Sequence, residues 1–250
     1  MDGDEGGVRS VLRAIDLLGL FTENRRTWSI RELTEASGLA KTTVIRLVTT
    51  CEQRGLLWTR ADGQVTIGPG LLRWAKLGHA AWQLSEPVRQ VMRELASKCG
   101  ETVNIYVRSS AARVCVAQHE GPQHIRHVVR VGDELPLWAG AAGKVLLIGA
   151  QSTVVDQVAA LSPYGREFAD ELRRRAGTAA VDGHAVSHGE RELGASGIAA
   201  PVTDREGRII AALAVGGPTT RFTDERVAEF VTAVVTSAQW ISRLGLDPAR

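Results

Sequence analysis

Apolar residues near the start of the chain recur at steps of three and four: Val8, Val11, Leu12, Ile15, Leu18 and Phe21. That period predicts a helix with one apolar face and Ser10 as its N-cap, ended by Asn24-Arg25-Arg26. Ser29-Ile30-Arg31-Glu32 fits a capping box, in which the serine oxygen takes a free N–H and the glutamate reaches back. The short helix it opens turns Ile30, Leu33 and Ala36 inward, and Gly38 stops it, because glycine enters the left-handed region without steric cost. After Leu39-Ala40 a third helix begins, with Val44, Leu47, Val48 and Cys51 inward. A rotation of about 100° per residue then puts Thr42, Arg46, Thr49 and Gln53 outward, Thr43 and Thr50 at the edge, and Lys41 in the first turn. Residues 56–60 and 64–67 read as two short strands around an Asp62-Gly63 turn, with Arg60 near the tip. Two helices joined by a tight glycine turn, then a hairpin, describe a winged helix-turn-helix.

The pattern changes beyond Pro69-Gly70. A further helix carries Leu71, Trp74, Ala75, Ala81 and Trp82 on one face, with Gly78 among them. Ser85-Glu86-Pro87 opens another, with Val88, Val91, Met92 and Leu95 inward and Cys99-Gly100 at its end. Strand patterns follow at residues 102–108, 113–119 and 125–131, and helical ones near 141–149, 152–160 and 166–176. Strands are then predicted at 178–186, 196–203 and 208–216, the last two joined by the Asp204-Arg205-Glu206-Gly207 turn. Thr223 caps a closing helix with Val227, Phe230, Val231, Val234, Ala238 and Ile241 inward. Strands flanked by helices without strict alternation predict an α+β domain around a mainly antiparallel sheet.

Composition narrows the class. The 250 residues are 44% apolar and 23% charged, which excludes a disordered chain, a collagen-like chain and a disulfide scaffold. No apolar run approaches the roughly 18–20 residues of a membrane-spanning helix, and the acidic, glycine-rich MDGDEGG start is unlike a secretory signal. Three widely spaced cysteines, Cys51, Cys99 and Cys115, fit free thiols in a reducing cytoplasm.

The net charge of +2 hides a split: −3 over residues 1–7, +5 over 8–76 and zero over 77–250. A basic module on a neutral domain is the asymmetry of a polyanion binder. The outward face of the third helix is nearly free of acids, Glu52 lying to one side. Arginine and glutamine can bond base edges, and threonine can bond phosphate or touch a thymine methyl. Helix-turn-helix geometry also serves protein contact, but this face and this charge favour double-stranded DNA. Thr42, Thr43 and Arg46, with Lys41, are the expected major-groove contacts, Arg60 reaches out on the wing, and Ser29 and Arg31 meet phosphates. Affinity grows with the phosphates neutralised, so +5 per copy predicts a homo-oligomer. Trp74 and Trp82 would form a partner surface.

The chain resembles the IclR family of transcriptional regulators. The resemblance is carried by residues 39–48 (LAKTTVIRLV), 135–144 (LPLWAGAAGK) and 197–202 (GIAAPV), extended by Gly216-Gly217-Pro218, and runs in order from about Val8 to the closing helix. It implies a winged helix-turn-helix DNA-binding domain at 1–68, a linker or dimerisation helix at 69–83, and a GAF-like effector-binding domain at 84–250. It further implies a repressor of operator DNA, assembled as a dimer or tetramer, with no cofactor and no enzymatic role.

The resemblance also implies an effector cavity. Family members that bind small organic acids use the positions of Ala141, Ala142, Ser187 and Gly197, and often two hydroxyls at Ala214 and Gly216. Here Gly197 replaces a Cys, Ser or Ala, the last two positions lack hydroxyls, and Thr203 stands where an aromatic or histidine is usual. With Leu135, Leu137 and Trp138 alongside, the expected cavity is roomier and less polar, suited to an aromatic or hydrophobic effector. Gly140-Ala141-Ala142-Gly143-Lys144 is not a phosphate loop, since Trp138 and Val145 occupy positions needing Gly and Ser or Thr. Glu190 matches a family glutamate. His119, His124 and His127, and His184 and His188, fall at strand ends and loops, where HxxH or HxxxH off a helix is weak evidence for zinc, and no cysteine sits at ligand spacing, so no metal is expected. Cys115 and His119, four residues apart on a strand, do not make a nucleophile–base pair, and Arg173-Arg174-Arg175 reads as a solvated helix end. The rival class is a GAF-like enzyme or cofactor-binding sensor with an N-terminal protein-interaction module.

Overall fold

The computed structural model describes residues 7–124 and 129–246. His127 and the first four residues of the strand expected at 125–131 lie outside the described residues, as does most of the acidic N-terminal segment. The chain divides into two compact units, residues 1–81 and 82–250.

The first unit contains α1 (Arg9–Gly19), β1 (Thr27–Trp28), α2 (Ile30–Ser37), α3 (Lys41–Gln53), β2 (Leu57–Thr59), β3 (Val65–Ile67) and α4 (Gly70–Ala81). Its core joins Leu17, Trp28, Leu33, Val44, Val48, Cys51, Leu57 and Val65, three of them from α3 and one from each other element but α4. The capping box forms at Ser29, and Gly38 takes φ +66° at the end of α2. That single left-handed residue turns the chain so that α3 starts three residues later. The wing gains a strand that the pattern did not predict. β1 pairs antiparallel with β3, and Thr66 Oγ1 donates to Arg26 O at 3.0 Å.

Two details of α1 differ from the sequence reading. Its N-cap is Val8, without a side-chain hydrogen bond, and Ser10 lies within the helix. Only Leu17 is fully buried, whereas Val8, Val11, Leu12 and Ile15 are 48–66% exposed. The helix carries two adjacent apolar stripes and docks through the one formed by Ala14, Leu17, Leu18 and Phe21. α4 likewise has no buried residue.

The second unit contains α5 (Glu86–Cys99), β4 (Thr102–Ser109), β5 (Ala112–His119), β6 (Glu134–Pro136), α6 (Ala141–Leu146), α7 (Ser152–Ala160), α8 (Ala169–Asp182), β7 (Ala185–His188), β8 (Ala195–Thr203), β9 (Ile209–Pro218) and α9 (Asp224–Leu244). Six strands form one sheet in the order β6-β5-β4-β9-β8-β7, and every neighbouring pair is antiparallel. Alternate residues serve two cores. Val103, Ile105, Leu213 and Val215 pack on one face with α5 and α9. Tyr106, Cys115, Ala212 and Ala214 pack on the other with α6, α7 and α8. Arg221 clasps the buried Glu101 through Nε and Nη2, the latter at 2.6 Å, and so ties the start of β4 to the turn before α9.

Two predicted strands are corrected. Residues 178–182 continue α8, with Ala176 and Ala179 buried and Gly183 ending the helix at φ +71°. The β-branched Thr178 and Val181 mimic a strand, yet Val181 is 87% exposed on the helix surface. The described part of 125–131 is not a strand either. The sheet edge is β6, where Leu135 pairs with Arg113 and Pro136 with Ala112. A proline is tolerated there because an edge strand needs hydrogen bonds on one side only.

Candidate DNA-contact face and effector cavity

The outward face of α3 is built by contrast with α2. On α2, charges are engaged. Arg31 Nε pairs with Glu35 at 2.9 Å, and Arg25 pairs with Glu32 at 2.7 Å while lying over the Trp28 ring. Ser29 Oγ accepts from the Glu32 N–H at 3.2 Å and donates to Glu32 Oε2 at 2.7 Å. The backbone N–H and hydroxyl of Ser29, then the Arg25 guanidinium, hold the Glu32 carboxyl below the usual carboxylate range. The structure thus places Ser29 and Arg31 in contacts internal to α2.

On α3, Lys41, Thr42 and Arg46 are exposed and Thr43 is half-buried. Among the described residues, none of these four side chains makes a hydrogen bond or ion pair within the chain. The neighbouring acid does not face them: Glu52 Oε1 accepts from the Thr59 N–H at 2.8 Å, which pins the hairpin to the helix. Beyond that anchor, Arg60 donates its N–H to Gln64 O at 2.8 Å, and Gly63, at φ +78°, donates back to Arg60 O at 3.0 Å. The Arg60 side chain is exposed at the tip.

In the second unit a cavity of about 70 Å³ opens between α6 and the strands β4, β5, β8 and β9. Ala141, Ala142, Ser187, Gly197, Ala214 and Gly216 all line it. Leu135, Leu137 and Trp138 do not. Leu137 is buried in the helical-side core, Leu135 sits half-buried on β6, and the Trp138 ring stands edge-on to Tyr164 at 6.1 Å. The expectation of Leu135, Leu137 and Trp138 on the cavity wall is therefore corrected. Asn104, Tyr106, Arg113, Glu190 and Arg191 also line the cavity, and they bring amide, phenol and charged groups to it.

Arg113 was not legible as a site residue, and the reason is a bulge. Ile105 pairs with Ala117 but Tyr106 pairs with Cys115, so Val116 is an extra residue in β5. In an unbroken strand Val114 and Val116 would share the face of Gln118, and Arg113 would point to the α5 side. The extra residue reverses the alternation and delivers Cys115 and Arg113 to the cavity side. Arg113 is 4% exposed, and its Nη1 donates to Pro136 O and, at 2.7 Å, to Ala139 O. Its Nε is buried without a partner. Burial lowers its pKa to about 10, still protonated at neutral pH.

Two backbone N–H groups at the start of α6 are taken. Gly140 N–H donates to Glu190 Oε2 and Ala141 N–H to Ser187 Oγ, each at 3.0 Å. Lys144 Nζ holds the other Glu190 oxygen at 2.5 Å and donates to Val186 O at 2.7 Å. Gly143 lets this helix sit so low, since a Cβ there would stand 2.3 Å from Leu137 O. Burial pushes the Cys115 thiol up to about 11, so it is no nucleophile at neutral pH. His184 bonds Asp182 O, and His188 bonds Ser196 Oγ at 2.8 Å. Among the described residues no group of His, Cys, Asp and Glu is placed to hold a metal ion, and no helix is long and apolar enough to cross a membrane.

Comparison with known proteins accounts for both units. The model of the IclR helix-turn-helix domain matches residues 10–60, and that of the bacterial transcriptional regulator IclR C-terminal domain matches residues 80–243. The chain is 28% identical to the transcriptional repressor IclR of Escherichia coli over 95% of its own length and 90% of the relative's. A solved IclR-family transcriptional regulator from Rhodococcus sp. is 46% identical, covering 98% of this chain and 96% of that one, with a TM-score of 0.66. An IclR homologue from Microbacterium hydrocarbonoxydans, solved with 4-hydroxybenzoate, shares the fold at 23% identity and TM-score 0.66, over 94% and 100% of the two chains. A reading helix with a wing, and a sheet with a cavity under a glycine-rich helix, thus meet in one chain, which belongs to the IclR family of DNA-binding transcriptional regulators.

Proposed function

We propose that the protein is a cytoplasmic repressor that binds operator DNA as a homo-oligomer and answers to a small organic effector held in the C-terminal cavity. The observation that carries the reading is the outward face of α3, where Lys41, Thr42, Thr43 and Arg46 are free of partners within the chain among the described residues. Residues 1–68 bind DNA, with Arg46 and the two threonines at base edges and Lys41 and Arg60 beside the backbone. Ser29 and Arg31 approach phosphates only by exchanging their contacts with Glu32 and Glu35. Residues 69–83 serve as linker and dimerisation helix. The bare apolar residues Leu72, Trp74 and Leu77 on α4 support this role. The domain at 84–250 acts by binding rather than catalysis.

Ala141, Ala142, Ser187, Gly197, Ala214 and Gly216 form the effector cavity, and the relative solved with 4-hydroxybenzoate supports a small organic molecule as its occupant. The effector acts by binding two arrangements of the paired DNA-binding domains with different affinity. The test is fluorescence anisotropy of the full chain on the DNA upstream of its own gene, at two salt concentrations. Specific binding that weakens steeply with salt is expected. Equal affinity for upstream and unrelated DNA would overturn the reading.

A further inference from the structure

The recognition helix and the helix that follows the wing meet at three glycines. α3 ends in a Schellman turn, where the Gly55 N–H donates to Glu52 O at 2.9 Å and the Leu56 N–H to Cys51 O at 2.8 Å. Gly55 takes φ +69°, a conformation that strains any other residue. The carbonyls of the same two residues receive the start of α4. Leu56 O accepts from the Gly68 N–H and Gly55 O from the Gly70 N–H, each at 2.8 Å. A free N–H at the start of α4 is thus satisfied by the backbone that ends α3.

The fit leaves no space for a side chain. A Cβ at Gly68 would overlap Gly55 O and stand 2.8 Å from Leu57 O, and one at Gly70 would stand 2.7 Å from Gly55 O. Both obstacles are backbone atoms, which cannot swing aside as the end of a side chain can. Glu52 braces the same end of α3, with its carbonyl in the Schellman turn and its carboxylate on Thr59 of the wing. α4 has no buried residue, so its direction is set at this joint rather than by packing along its length.

Given the reading of α4 as a linker and dimerisation helix, we propose that Gly55, Gly68 and Gly70 are positioning residues for operator binding. They fix the direction in which α4 leaves α3, and so fix the distance between the recognition helices of two joined copies. The spacing of two half-sites is then measured by a joint that touches no DNA.

The test uses the full chain on the DNA upstream of its own gene, with single base pairs inserted or removed at the centre of the footprinted site. Each base pair displaces a half-site by about 3.4 Å along the duplex. The wild type is expected to lose about 10-fold in affinity per step, because a rigid joint cannot follow. Gly68→Ala and Gly70→Ala should shift or flatten this optimum, with affinity for a single half-site unchanged. Gly19→Ala, where a Cβ meets nothing, should leave the optimum in place. Amide exchange on the wild type gives a reading that needs no variant to fold: the Gly68 and Gly70 N–H groups should exchange as slowly as that of Val48 in the core. A wild-type optimum in both alanine variants, or fast exchange at Gly68 and Gly70, would overturn the joint and leave α4 as a dimerisation helix. A wild type that sediments as a monomer on and off DNA would overturn the reading of α4 itself, and the positioning role with it.

Discussion

The two units treat their cations in opposite ways. In the C-terminal unit many arginines are matched with acids. Arg173 bonds Asp156 and Asp170, Arg174 and Arg175 share Glu171, Arg208 bonds Asp204, and Arg221 holds Glu101. In the N-terminal unit the matching stops at α2, and Lys41, Arg46 and Arg60 have no side-chain partner among the described residues. Zero net charge in one region and +5 in the other is thus a difference in pairing as much as in composition. Matched charges hold a fold in register, whereas unmatched ones on a common face make a field for a polyanion.

Substitutions can break this contrast, and the largest effect belongs to the matched side. Arg221→Ala leaves Glu101, 1% exposed, without its guanidinium, and should lower the stability of the C-terminal unit by about 3–5 kcal/mol in urea unfolding. DNA affinity of the folded protein should be unchanged. Arg46→Ala should do the reverse, with an unaltered unfolding midpoint and a loss of about 1–3 kcal/mol in discrimination for its base pair by competition binding. A stability loss there would return Arg46 to the matched class.

Smaller effects sharpen the boundary inside the N-terminal unit. Ser29→Ala removes the α2 cap and should cost about 1 kcal/mol of that unit's stability, without altering the salt dependence of DNA binding. A change in salt slope would show that the serine also meets phosphate. Arg60→Ala should weaken binding to all sequences alike and lower the salt slope by about 1, with the fold untouched.

How much was readable in the chain follows from the range of each interaction. The capping box at Ser29, the Gly38 turn, the start of α3 at Lys41 and the Thr223 cap are decided within four residues, and all four form as the pattern predicts. Of the cavity, six of nine expected lining positions face it: Ala141, Ala142, Ser187, Gly197, Ala214 and Gly216. Leu137 and Trp138 misled because their apolar character is used by the core and by Tyr164. β1, two residues long, carries too little pattern to be seen without its partner β3. Arg113 is the deepest omission. Its direction depends on one extra residue in β5, and nothing in Arg113-Val114-Cys115-Val116-Ala117 records which of the five is unpaired across the sheet.

The anchoring of the wing has a consequence for how such a reader can change. Because Glu52 grips the strand at Thr59, the distance from recognition helix to hairpin is fixed one residue before the exposed tip begins. Helix and wing form a calliper of set gauge. Residues 60–63 lie beyond the anchor, so drift there alters what the tip touches while its reach stays constant. A new binding site could be learned at the tip alone, one substitution at a time, with the fold undisturbed at every step.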